Sequence, residues 1–93
     1  MDIDFDPAKN DTNIRERGLS FERAGDFDFA TAIVREDIRK DYPETRFVAL
    51  GFLENRLHVL CFTPIASGIR VISFRKANRR EEKDYEQAST VDR

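Results

Sequence analysis

The sequence predicts a small α+β domain, an antiparallel sheet with helices packed on one side. Three observations point there. Residues 46–75 contain three strand-like segments in series, separated by two short turns. Helix signals frame this block, with Asp6-Pro7 and Gly18 before it and Asn78 and Glu81 after it. The 8 Phe, in a chain that is 40% hydrophobic and 37% charged, suit a polypeptide that buries a core. For 93 residues the folded-area scaling buries about 65% of the unfolded surface, enough for one domain, expected over residues 1–93.

Ile3 and Phe5 alternate with Asp2, Asp4 and Asp6, which predicts a very short first strand. Asp6 can accept from free helical N–H groups and Pro7 suits the first helical position, so a helix is expected from Pro7 to Arg17, closed by Gly18. Its only clear apolar positions are Ala8 and Ile14, so it should pack loosely or meet a partner. Ser20 reads as the next N-cap, with Phe21, Ala24 and Phe27 at helical spacing and Gly25 weakening the helix. Ala30–Asp37 reads as a strand, and Pro43 turns the chain out of the charged segment Lys40-Asp41-Tyr42.

Arg46–Leu53 is apolar on both faces, as an inner strand would be. Glu54-Asn55 is a tight turn in which Asn55 tolerates positive φ. Arg56–Thr63 alternates Leu57, Val59 and Cys61 with His58, Leu60 and Phe62. Pro64–Gly68 forms the second connection and Ile69–Arg75 the last strand of a meander. Asn78-Arg79-Arg80-Glu81 is a capping box, opening a surface helix to about Ala88. Residues 89–93 should fray.

Composition excludes several functions. No apolar run reaches the roughly 18 residues of a membrane span, and the acidic start Met1–Asp6 is unlike a secretion signal. One cysteine, Cys61, and one histidine, His58, leave no disulfide and no conventional His/Cys metal site, so the expected setting is the reducing cytoplasm, without cofactor. The dinucleotide, phosphate-loop, zinc-protease and nucleophile-elbow motifs are all missing. Cys61 is best explained as a small core hydrophobe, and His58, mid-strand among aliphatics, as structural before catalytic.

The charge distribution is more informative. Residues 1–45 carry 7 Lys/Arg against 12 Asp/Glu, and residues 46–93 carry 9 against 6. Arg70, Arg75, Lys76, Arg79, Arg80 and Lys83 crowd into one stretch with only Glu81 and Glu82 as counter-charges, as at a polyanion site. Arg70 alternates with Ile72 and Phe74, which places the three on one face, while Arg75 and Lys76 leave the strand on opposite faces. Arg79 and Arg80 stand in a first helical turn, where cations are disfavoured by about 0.3–1 kcal/mol. A phosphate held by the free N–H groups and the guanidinium forks would account for them.

Asp6-Pro7-Ala8-Lys9-Asn10, Asn13-Ile14 and Gly18-Leu19-Ser20-Phe21-Glu22 with Ala24 resemble the opening of the BrnT toxin family. Arg46–Gly51, Leu57–Thr63, Ile69–Glu81 and Tyr85-Glu86 are similar to its later blocks. One departure is Glu16-Arg17-Gly18, where the family commonly has Lys-His-Gly. The resemblance implies a RelE-like fold and a type II toxin that cuts RNA and stops translation. It also implies a hetero-oligomer with a BrnA-like ribbon-helix-helix antitoxin, through which the pair would hold operator DNA. By motif match the family's basic functional positions fall on Arg70, Arg75 and Arg79, with Lys76 and Arg80 beside them, and Arg46 joins these as an RNA-binding position.

RNA can be cut without metal when the ribose 2′-OH attacks the adjacent phosphorus. Arginine stabilises the phosphoryl charge but is a poor base. Proton transfer falls to Glu44, Tyr85 or His58, which the sequence does not rank. The competing expectations are a non-catalytic module for nucleic acid or an acidic partner, and a purely structural complex member.

Overall fold

The computed structural model describes residues 1–91. In chain order it contains β1 (Asp2–Phe5), α1 (Pro7–Arg17), a 3-10 helix (Phe21–Asp26), β2 (Ile33–Glu36), β3 (Phe47–Leu53), β4 (Arg56–Ile65), β5 (Gly68–Lys76) and α2 (Arg79–Val91). The five strands form one sheet in the order β1-β5-β4-β3-β2. The three central strands pair antiparallel, as does β2 on β3, and only β1 lies parallel to its neighbour β5. The α+β class is therefore the one the sequence predicts.

Local chemistry sets most boundaries. The Asp6 side chain accepts from the Ala8 N–H at 2.9 Å and Pro7 occupies the first turn of α1. Gly18 ends that helix at φ 64°, a left-handed conformation that costs a side-chain-bearing residue more. The Ser20 hydroxyl accepts from the Glu22 N–H at 3.2 Å, but the helix it starts is a single 3-10 segment with Gly25 inside it. The predicted strand Ala30–Asp37 shrinks to Ile33–Glu36. Asp28 accepts from the Ala30 N–H and the Thr31 hydroxyl, which folds residues 28–31 into a turn instead.

The turn between β3 and β4 places its positive φ on Glu54, at 55°, where Asn55 was expected to carry it. Pro64 and Ile65 prolong β4, so the second connection is only Ala66-Ser67. The capping box forms at 2.9 Å in both directions between Asn78 and Glu81. Of the tail expected to fray, Ser89 to Val91 continue α2, and residues 92 and 93 lie outside the described residues.

The sheet is covered on both faces, which corrects the expectation of helices on one side. One face buries Leu19, Phe21, Ala24 and Phe27 against Ala49, Leu60, Phe62, Ile69, Val71 and Phe74. The other packs Tyr85 of α2 with Leu57, Val59, Ala77, Leu50 and Phe52. The reason lies in β3, whose alternate residues are apolar on both sides and demand two covers. α1 lies along the outer edge of β5 beyond the end of β1, where Asn13 Nδ2 donates to the Phe74 carbonyl at 2.9 Å. An edge that would otherwise recruit another strand is thereby covered.

Candidate nucleic-acid interface

A β-bulge decides which basic side chains share a face. Phe62 pairs with Val71 and Cys61 with Ser73, so Ile72 is the extra residue in β5. Parity reverses there. Phe74 joins Val71 in the larger core, while Arg70 and Arg75, five residues apart, both face the α2 side opposite Thr63 and Val59. The simple alternation that grouped Arg70 with Phe74 does not survive the bulge.

On that face the part of the sheet α2 leaves open becomes a cleft of about 370 Å³. Its floor is Val48, Val59, Cys61, Ile72 and Ser73, and its walls are the β2–β3 loop and the start of α2. The loop wall is built around Asp37, whose buried carboxylate accepts from Arg39 Nε at 2.9 Å, Arg39 Nη2 at 2.8 Å and the Tyr42 hydroxyl at 3.2 Å. Arg46 lies 4.2 Å from the centre of the Tyr42 ring and donates to Glu44 at 2.9 Å. On the opposite wall Arg75 donates from Nη1 and Nη2 to the two Glu81 oxygens, each at 2.8 Å.

These contacts set the protonation. Hydrogen bonds from Arg39 hold the Asp37 carboxyl far below the usual carboxylate range, and the Arg75 fork lowers that of Glu81. Burial pushes the Cys61 thiol up, which disfavours the thiolate a nucleophile needs. The cleft is a set of fixed cations held by ionised carboxylates, suited to gripping and orienting a polyanion.

A second, larger concavity of about 660 Å³ opens on the other face, at the end of the sheet. Arg17, Arg23, Arg56, Lys76 and Arg75 line it, with Glu54 as the one lining carboxylate. His58 sits in its wall, Nδ1 2.8 Å from the Arg56 carbonyl and the ring 5.5 Å from that of Phe74. Burial lowers the His58 pKa. The charges of Arg56, Lys76 and Arg23 act in the same sense, and the Arg56 carbonyl opposes them.

The structure thus brings Arg46 and Arg75 together from β5 and the head of β3, and Arg75 borders both concavities. Arg70 shares the α2 face but is tied to Asp4 at 2.7 Å. Arg79 and Arg80 are exposed in the first turn of α2, and the anion at that helix start is the Glu81 carboxylate itself. Lys76 and His58 lie on the opposite face from Arg75. The Tyr85 hydroxyl donates to the Thr31 carbonyl at 2.9 Å, and Glu44 is held by Arg46. Sequence reasoning missed Asp37, Arg39 and Tyr42 in the cleft and Arg17, Arg23 and Arg56 at the sheet end. Asp37-x-Arg39 carries the signal of a side-chain-capped turn, whereas the other three look like ordinary surface cations until folding collects them.

A family model described as "Ribonuclease toxin, BrnT, of type II toxin-antitoxin system" matches residues 5–81. No curated protein matches the chain. Covering most of the 93 residues, the match shows the family: the chain belongs to the BrnT ribonuclease toxins of type II toxin-antitoxin systems.

Proposed function

We propose that this BrnT chain acts in the cytoplasm as a single-domain, metal-independent endoribonuclease that halts translation. The observation that carries the reading is the convergence of Arg46 and Arg75 on one cleft over an open stretch of sheet. The 2′-OH attacks the neighbouring phosphorus and the P–O5′ bond breaks. The attacking hydroxyl loses its proton, the departing 5′-oxygen takes one up, and a 2′,3′-cyclic phosphate remains. Arg75, with Arg70 and Arg79 along the same stretch of chain, stabilises charge on the phosphoryl oxygens, while Arg46, Lys76 and Arg80 hold flanking RNA. To reach phosphate, the Arg75 fork exchanges Glu81 oxygens for phosphoryl oxygens of the same bidentate geometry.

Among Glu44, Tyr85 and His58, two already have side-chain oxygens engaged, by Arg46 and by the Thr31 carbonyl. His58 lies across the sheet from the cleft that holds the phosphate, so of the three Glu44, paired with Arg46 on the loop wall of that cleft, stands beside the arginines that grip it. In the cell the chain is held inactive by a BrnA-like ribbon-helix-helix antitoxin, whose carboxylates would cover the basic strip from Arg70 to Arg80 and which would carry the pair to operator DNA.

The test is cleavage of RNA by purified, antitoxin-free protein in EDTA. Fragments ending in 2′,3′-cyclic phosphate are expected from the parent chain and from neither Arg75→Ala nor a blank. Tight RNA binding without cleavage would favour a non-catalytic nucleic-acid module. Cleavage that requires added Mg²⁺ or Mn²⁺ would overturn the mechanism.

A further inference from the structure

The concavity at the sheet end holds more positive charge than the fold needs. Arg23 is balanced by Asp26 at 3.3 Å and Glu54 at 3.1 Å. Arg75 is paired with Glu81, but the remaining cations have no such counter-charge among the described residues: Arg17 donates to the Asn13 amide oxygen at 2.8 Å and Arg56 to the Ala77 carbonyl at 3.0 Å, both neutral acceptors. Lys76 makes no ion pair among the described residues and is exposed. A place in the last turn of α1 accounts for Arg17, since the helix dipole favours a cation there. It does not account for Arg56 and Lys76, which begin β4 and end β5. Like charges facing one another across a concave wall repel unless an anion sits between them.

We propose that this groove binds a second phosphodiester of the RNA strand, held by Arg17, Arg56 and Lys76, next to the phosphate gripped by Arg75. This deepens the ribonuclease reading and rests on RNA being the substrate. Arg75 borders both concavities, and the groove it leads to has Glu54 as its one lining carboxylate. The guanidinium of Arg56, fixed by the Ala77 carbonyl, is pre-aimed, whereas Lys76 supplies a flexible point charge.

The experiment measures anisotropy of a labelled single-stranded RNA whose 2′-oxygens are methylated to block cleavage, over a salt series. It compares the parent chain, Arg75→Ala, and the double variant Arg17→Ala/Lys76→Ala, two exposed positions whose truncation leaves the cores intact. The double variant should weaken binding roughly tenfold at low salt and flatten the log–log salt slope by about 0.7 to 1.4, the single-strand value for one or two lost phosphate contacts. Parental affinity and slope in the double variant, with weakening confined to Arg75→Ala, would overturn the groove and leave the RNA reading standing. No RNA binding by the parent chain would overturn both. Unchanged RNA binding with loss of the acidic antitoxin would assign the groove to a protein and overturn the proposal.

Discussion

The two basic concavities are built on opposite electrostatic plans. In the cleft under α2, each arginine on the wall is matched to a carboxylate: Arg39 to Asp37, Arg46 to Glu44 and Arg75 to Glu81. At the sheet end Arg17 and Arg56 rest on neutral oxygens. The first plan holds the guanidinium forks in place before substrate arrives, and Arg75 then exchanges its carboxylate for a phosphate of the same bidentate geometry. The second leaves charge unneutralised, which attracts a polyanion but positions it less strictly. On the proposed reading, positioning belongs to the cleft and capture to the groove.

The sharpest way to break that division is Arg75→Ala, which removes the fork common to both regions. RNA cleavage should fall by about 100-fold or more, the usual loss for one preorganised donor at a phosphoryl or oxyanion centre. Arg75→Lys should recover little of it in a single-turnover assay, because a point charge cannot make the bidentate contact. Recovery to near the parental rate would show that charge alone suffices and that the cleft does not position.

Asp37→Asn comes next. It leaves the loop wall without the carboxylate that three side-chain donors and the Arg39 N–H share, so the segment 37–46 should lose order and the melting temperature should fall. Amide hydrogen exchange across the loop would register the change even if the core holds. Unaltered protection there would mean that the loop is held from elsewhere.

Acid titration separates the regions by sign. Asp37 and Glu81 have folded pKa values below those of the unfolded chain. Their stabilisation is complete above the ordinary carboxylate range of about 4 and lost as pH falls through and below it. His58 is also lowered, but as a base: the unfolded chain takes up its proton first. Stability from His58 is complete above about pH 6.5 and declines as pH falls below that value. Thermal melts should therefore show two descending steps towards acid. His58→Gln should remove the upper step alone, and persistence of that step would assign it to another group.

The smallest effect expected is that of Tyr85→Phe, which deletes the hydroxyl donating to Thr31 but keeps the ring 5.4 Å from that of Phe52. A loss of about 0.5–1.5 kcal/mol in denaturant melts fits one hydrogen bond. Cleavage should be unchanged. A large fall in cleavage with stability kept would bring Tyr85 back as a proton-transfer group.

Legibility followed the range of the interaction. The Asp6 and Ser20 caps, the Gly18 stop and the Asn78–Glu81 box were legible because each is satisfied within four residues of chain. A run apolar on both faces gave β3, and alternation gave β4 and β5, for the same local reason. The basic strip was visible as composition, but not which of its members meet. Arg70 was grouped with Phe74 because nothing in Val71-Ile72-Ser73 announces a bulge.

By itself the sequence determined the elements, the single α+β sheet and the family, since caps, periodicity and motif blocks are properties of short stretches of chain. Only the tertiary structure decided the faces. One unpaired residue, Ile72, reverses the parity of β5 and turns Arg75 towards Glu81 and Arg46. The return of α2 across the second apolar face of β3 leaves the rest of that face open as the cleft. The end of α1 and the β3–β4 turn gather Arg17 and Arg56 around Lys76, from positions no local pattern connects. Side-chain direction in a sheet is a sum over every residue before it, so one insertion changes which charges meet.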